Sequence, residues 1–143
     1  MMAFERSLPP QPDELPAVRS ALRAWLHQAG VDDEDAAADV LLVSSELVTN
    51  GVFHDGGDLI TLRADRQDRD VSIEVTTVDH LPGKRPTYRD VEASAEGGRG
   101  LAIVQALSSG YSVARHDHER VTTCHIATTT ARAAQPTHEV TSP

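Results

Sequence analysis

Three polar residues that recur at every fourth position could perform chemistry together. Glu46, Asn50 and His54 have this spacing, and four residues turn an α-helix by one full turn plus about 40°. Their side chains would therefore line one edge of a helix. Carboxylate and amide oxygens suit Mg²⁺, and a carboxylate can also orient or deprotonate a nucleophile. The same spacing is also typical of a helix face that simply contacts solvent, and Asp39 belongs to the same polar stripe.

Apolar residues flank this stripe on both sides and make it narrow: Leu42, Val43, Leu47 and Phe53. A helix that is apolar nearly all round tends to be buried. Polar groups on a buried helix need partners. The flanking residues therefore weaken the interpretation of the stripe as a solvated helix face.

A glycine-rich segment stands directly before a second helical pattern. Gly98, Arg99 and Gly100 precede a helix that is expected to start near Leu101. Glycines let a backbone approach a ligand closely, and a helix N-terminus presents N–H groups with a partial positive charge. This combination can hold a phosphate group, although a flexible hinge into a helix would have a similar sequence.

Two further features of the stretch before this helix point to a nucleotide. Four of the chain's 13 Lys and Arg residues fall between positions 83 and 99, where cations could hold a polyphosphate. Asp79 follows a strand pattern and could accept a hydrogen bond from an exocyclic amine such as that of adenine. Taken singly, the cations could be ordinary loop charges, and the segment from Asp79 to Gly83 could be a turn.

Two other groups of residues are weaker candidates. His116 and His118 bracket an aspartate at the end of a strand pattern, and they are expected to form a hydrophilic turn rather than a metal site. Cys124 lies in an apolar strand pattern and is expected to serve in packing.

Hydrophobic periodicity and turn residues predict the elements that would position these groups. The first helix is expected over about 14–29, capped by Asp13 and ended by Gly30. The other two helices are expected over about 32–53 and from Leu101 to Gly110. Strands are expected over 3–8, 60–64, 71–75, 111–115 and 121–128. Residues 79–99, punctuated by proline and glycine, are expected to form a long loop.

This order of elements, with hairpins grouped together and few helices, favours an α+β fold. We expect a two-layer sandwich in which about three helices cover one face of a mostly antiparallel, mixed sheet. The folded domain is expected over residues 4–129. The tail over residues 130–143 is expected to be unstructured.

Composition excludes several classes of function. The net charge of −9 opposes nucleic-acid binding, and two Phe, one Trp and two Tyr are too few for base-stacking platforms. A single cysteine excludes an internal disulfide framework. The apolar runs are much shorter than a membrane span, and the first residues lack the apolar stretch of a signal peptide. We therefore expect a cytoplasmic protein that binds neither nucleic acid nor membrane.

Taken in order, these segments resemble the histidine-kinase-like ATPase (Bergerat) fold. More narrowly, they resemble its stand-alone anti-sigma regulatory factors with serine/threonine kinase activity. Residues 45–54, SELVTNGVFH, are similar to the family's helical N box, and residues 98–104, GRGLAIV, are similar to its second glycine box. The resemblance covers about residues 4–129.

The resemblance also implies roles for individual residues. Glu46 would be the catalytic glutamate, Asn50 the Mg²⁺ ligand and His54 a third member of the N box. The family's adenine-binding aspartate falls on Thr77 in an ungapped comparison, and Asp79, two residues further along the same strand face, is expected to take that role. Further nucleotide contacts would come from Gly83, Gly98, Arg99, Gly100 and Leu101.

The function implied by the resemblance is that of an anti-sigma factor of the partner-switching type. It would bind ATP and Mg²⁺, sequester a sigma factor, and phosphorylate a serine or threonine of a STAS-type anti-anti-sigma protein. Dimers are common in this family, so a homodimer is among the expected assemblies. The alternative, favoured by Thr77, is a non-catalytic module that keeps the fold and regulates by protein contact. A third reading is an enzyme that uses the same fold on another nucleotide.

Overall fold

A computed structural model describes residues 2–53, 59–78 and 95–128 of the 143-residue chain. Its elements are, in order, β1 (Phe4–Leu8), a short 3-10 turn (Pro12–Glu14), α1 (Leu15–Gln28), α2 (Glu34–Phe53), β2 (Leu59–Arg66), β3 (Asp70–Val78), α3 (Ala95–Leu107), β4 (Gly110–His116) and β5 (Glu119–Ala127). The predicted tail over residues 130–143 lies outside the described residues.

The five strands form one sheet in the order β1-β2-β3-β5-β4. Alternate residues of β2 and β3 are buried on one face, among them Ile60, Leu62, Ile73 and Val75. The helices cover this face, so the predicted two-layer α+β fold is confirmed. All pairings between the described strands are antiparallel, and the mixed pairing included in the prediction is not found among them.

Helix α2 is the central element of the helical layer, because it packs on β2, β3 and β5 and also contacts α1 and α3. Val40, Val43 and Val48 are fully buried on its inner side. At its N-terminus the carboxylate of Asp33 accepts hydrogen bonds from the backbone N–H groups of Asp35 and Ala36, at 2.9 and 3.2 Å. Asp33 therefore caps the helix and satisfies N–H groups that have no partner within the helix.

Helix α1 ends as the sequence predicts. Gly30 has a φ of 80°, a conformation that costs glycine little. Its N–H group donates to the carbonyl of His27, and the N–H of Val31 donates to the carbonyl of Leu26, at 3.1 and 3.0 Å. This pair of hydrogen bonds is the Schellman motif, which stops the helix at a defined residue.

The predicted starts of α1 and α3 differ from the structure. Asp13 lies in the 3-10 turn, and the residue that precedes α1, Glu14, makes no side-chain capping bond. Helix α3 begins at Ala95, so residues 95–99 are helical rather than part of a loop. Glycine is a poor helix former, and a run of glycines therefore predicts a loop even where packing against α2 supports a helix. Among the described residues, no helix has the length and apolar character needed to cross a bilayer.

Replacing the cap of α2 is expected to destabilise the protein. Asp33→Ala removes the acceptor of two backbone N–H groups and should lower the free energy of unfolding by about 1 kcal/mol. Asp32→Ala removes the same charge from an exposed neighbouring position and serves as the matched control. Urea unfolding measures both variants, and equal losses would show that charge rather than capping stabilises the helix start.

Candidate active site

Helix α2 carries two of the predicted site residues that the structure describes. Glu46 and Asn50 are one helical turn apart and are both half-buried. Leu47 and Val48, which lie between them in sequence, are buried in the core. The buried side of α2 thus fixes the rotation of the helix and holds the carboxylate and the amide at the rim of the helical layer.

The glycine segment lies inside α3 rather than before it. Gly98 is the fourth residue of the helix, and the backbone N–H groups that have no partner within the helix are those just before it in the first turn. Gly100 lies about 7.5 Å from Ala95 along the helix axis, and its own N–H group is therefore in the body of the helix. The unpartnered N–H groups of this first turn can supply a phosphate cradle, and direct contacts of Gly98 and Gly100 with a phosphate stay a prediction.

Gly100 instead meets Glu46. It is buried, and a Cβ placed on it would lie 2.5 Å from Oε1 and 3.5 Å from Cδ of the Glu46 side chain. Helices α2 and α3 are thus in contact at the point where the carboxylate is located. The structure therefore brings together the two segments that the sequence singled out.

A second glycine brings α2 close to the sheet. A Cβ on Gly51 would lie 3.0 Å from Cγ2 of Thr77 and 3.2 Å from Cδ1 of Ile60. Thr77 is buried, with 5% of its surface exposed. The residue at the expected adenine position is therefore packed under α2 and offers very little surface to a ligand.

The remaining predicted site residues are described in part or not at all. Leu101 is half-buried on α3, in the turn that follows the glycines. Arg99 lies in α3, with a side chain outside the described part of the structure. His54, Asp79 and Gly83 lie outside the described residues, and so do the other cations of the predicted loop.

The donor set at this site consists of oxygen atoms. The Glu46 carboxylate and the Asn50 amide oxygen are hard ligands of the kind that Mg²⁺ prefers, and the first turn of α3 can receive a phosphate. The described residues therefore fit a magnesium nucleotide. Periodicity did not identify Gly100 and Gly51 as contacts of Glu46 and Thr77, because each contact joins segments distant in sequence. The one available signal was a glycine inside or beside a helical pattern, which indicates a close approach.

The two histidines of the predicted hydrophilic turn lie at the connection of β4 and β5. His116 and His118 are exposed at the connection of β4 and β5, and Asp117 between them has a φ of 53°, which aspartate tolerates. No group of three or more His, Cys, Asp or Glu side chains that could hold a metal ion is found among residues 2–53, 59–78 and 95–128. The predicted hydrophilic turn is confirmed.

Comparisons with known proteins place the fold in a family. Residues 8–126, well over half of the chain, match the histidine kinase-like ATPase domain. The chain therefore belongs to this family, and the resemblance noted from its sequence is confirmed at that level. A search of curated proteins gave no match.

Two solved structures share the fold. One contains the RsbU and RsbW domains of Rv1364c from Mycobacterium tuberculosis, with 21% identity and a TM-score of 0.64 over 88% of this chain. The other is the histidine kinase domain of the blue-light activated histidine kinase EL346 from Erythrobacter litoralis, with 18% identity and a TM-score of 0.50 over 85% of this chain. This chain spans 32% of the first of these chains and 62% of the second.

Cys124 lies in the core on β5, as predicted. It is buried, and burial raises the pKa of its thiol from 9.0 to about 11, against a smaller lowering by a hydrogen bond with Ser108. An unfolded chain would release the thiol proton near pH 9, whereas the folded protein retains it until about pH 11. The buried thiol therefore contributes its full stabilisation below pH 9, and this contribution is lost as the pH rises from 9 to about 11.

The buried thiol of Cys124 predicts how the stability of the protein depends on pH. Between pH 9 and 11 the urea midpoint of the native sequence should fall more steeply than that of Cys124→Ala, which has no thiol to ionise. Iodoacetamide should modify Cys124 slowly in the folded protein and rapidly in urea at the same pH. Parallel pH dependences of the two proteins would contradict the assignment.

Proposed function

We propose that this protein is an anti-sigma factor with serine/threonine kinase activity that uses ATP and Mg²⁺. The observation that carries the proposal is the contact between Glu46 and Gly100. It places a carboxylate of α2 against the second turn of α3, next to the glycine-containing first turn, and these two features suit the two halves of a phosphoryl-transfer site. Membership of the ATPase domain family supports the nucleotide.

Each described residue has a distinct part in the proposed reaction. Glu46 would accept the proton of the incoming serine or threonine hydroxyl, since a positioned carboxylate can act as a general base. Asn50, one turn further along α2, would hold the metal ion through its amide oxygen. The first turn of α3, just before Gly98, would bind phosphate oxygens through backbone N–H groups and the helix dipole.

Magnesium, when bound, neutralises phosphate charge during transfer. The protein's own contribution is to place the acceptor hydroxyl, the carboxylate and the phosphate-binding turn in fixed positions. Phosphoryl transfer depends on positioning and electrostatics more than on covalent chemistry by the protein. A small set of residues on two packed helices is therefore sufficient.

The proposed partners are a sigma factor and a STAS-type anti-anti-sigma protein. This part of the proposal comes from the resemblance of residues 45–54 and 98–104 to the anti-sigma kinases. The net charge of −9 agrees with regulation through protein partners rather than through direct contact with nucleic acid. His54, Asp79, Gly83 and the side chain of Arg99 are proposed to complete the nucleotide site.

Burial of Thr77 favours a second candidate function, that of a non-catalytic regulatory module. Thr77 stands where the resemblance places the adenine-binding aspartate, and it is 5% exposed. A carboxylate acceptor for the adenine amine is therefore missing at that position. If Asp79 does not supply it, the chain would act by protein contact alone.

Removal of the proposed base tests the kinase activity. Glu46→Gln keeps the shape of the side chain but cannot take up a proton at neutral pH, so transfer should fall by about 100-fold or more. Transfer of labelled γ-phosphate from ATP to STAS-type proteins of the same genome measures the effect. Asp35→Asn, which neutralises an exposed carboxylate on the same helix, is the control and should transfer at the native rate. Equal rates for Glu46→Gln and the native protein would refute the role of the base.

Calorimetry separates the kinase from the non-catalytic module. The native protein should bind ATP in the presence of Mg²⁺, and Asn50→Ala should weaken that binding by about tenfold, the loss of one charge-assisted contact. The difference should vanish when the metal is chelated. Thr49→Ala, at the half-buried neighbouring position, is the control. Absence of binding heat from the native protein with ATP and Mg²⁺ would favour the non-catalytic module.

A further inference from the structure

Gly100 occupies a position where glycine carries an energetic cost. It lies in the second turn of α3 and is buried, and a glycine within a helix is less favourable than alanine because it loses more backbone freedom on folding. The φ angle of Gly100 is not in the left-handed region. Among the described residues, the glycine with a positive φ is Gly30. Backbone conformation therefore gives no reason for glycine at this position.

The lack of space for a side chain explains why position 100 is a glycine. A Cβ at position 100 would lie 2.5 Å from Oε1 of Glu46, whereas ordinary contacts are 3.4–4 Å. The other neighbour found within 4 Å among the described residues is Cδ of the same side chain, at an ordinary 3.5 Å. The side chain that a methyl group would crowd is therefore that of Glu46, through the tip of its carboxylate.

We propose that Gly100 is a positioning residue for Glu46: the missing side chain leaves the space in which the carboxylate lies against α3. The proposal rests on the function proposed above and names a residue that sets the place of its base. A methyl group at position 100 displaces the carboxylate by about 1 Å, the difference between a 2.5 Å approach and an ordinary contact. A misplacement of this size can cost about 100-fold in rate.

The effect of a glycine-to-alanine substitution on the fold depends on which atom the new methyl group meets. At Gly100 the nearest atom is the free end of a flexible side chain, so the carboxylate can rotate away while the backbone stays in place. At Gly51 the nearest atoms belong to Thr77 and Ile60, which are packed in the core. Gly100→Ala is therefore expected to fold, and its effect falls on the position of the carboxylate.

Kinetics provide the first test. Gly100→Ala should reduce kcat for γ-phosphate transfer by about 10- to 100-fold and leave the KM for ATP unchanged, because the methyl group moves the base rather than the phosphate-binding turn. Gly110→Ala is the matched control, since its Cβ would make an ordinary 3.5 Å contact with His125, and it should keep the native kcat. A native kcat for Gly100→Ala would overturn the inference.

A shorter carboxylate tests whether the two residues act on each other. Glu46→Asp withdraws the carboxylate from α3, so adding Gly100→Ala to it should cause no further loss of kcat. Residues in contact show such non-additivity, whereas independent residues multiply their effects. Multiplicative losses in the double variant would refute the positioning role.

A third measurement does not depend on activity. In the Glu46→Ala background no carboxylate opposes the methyl group, and Gly100→Ala should raise the urea midpoint through its better helix propensity. In the native background the same change should raise the midpoint less or lower it. Equal shifts in the two backgrounds would overturn the contact, even if the native protein transferred no phosphate. An inactive native protein with unequal shifts would instead reject the proposed kinase and retain Gly100 as the residue that places the carboxylate.

Discussion

The packing of α2 against the sheet is the constraint on which the site depends. This helix buries Val40, Val43 and Val48 against the strands and must still present polar groups at its edge. Carboxylate and amide side chains on such a helix are favoured at the rim, because their burial without partners is costly. Glu46 and Asn50 lie at the rim, half-buried, and the core holds them there through the residues between them.

Local sequence patterns predicted most of the fold because most of its elements are determined by local rules. Alternating apolar residues on β2 and β3 identified the hairpin and its buried face, and Gly30 marked the end of α1 through its left-handed conformation. The start of α3 could not be predicted from local sequence patterns in the same way. The helical state of residues 95–99 opposes the propensity of their glycines, and it is accompanied by a contact with α2 that local patterns do not contain.

The candidate site, like the fold, could be predicted where local spacing determines it and not where distant segments meet. The spacing of Glu46 and Asn50 is a property of a single helix and was sufficient to place both side chains on one edge. The approaches of Gly100 to Glu46 and of Gly51 to Thr77 each join distant segments, so no periodicity could reveal them. A glycine inside or beside a helical pattern was the one signal at these positions, and it does not indicate which residue each glycine approaches.

The absence of a side chain at Gly51 has a mechanical consequence. The backbone of α2 rests directly on Thr77 and Ile60, so the helix cannot roll or slide without pushing into the sheet. Helix α3, by contrast, meets α2 at Gly100 through the movable tip of Glu46. The contact of α2 with the sheet is therefore rigid, whereas its contact with α3 can adjust through the rotation of one side chain.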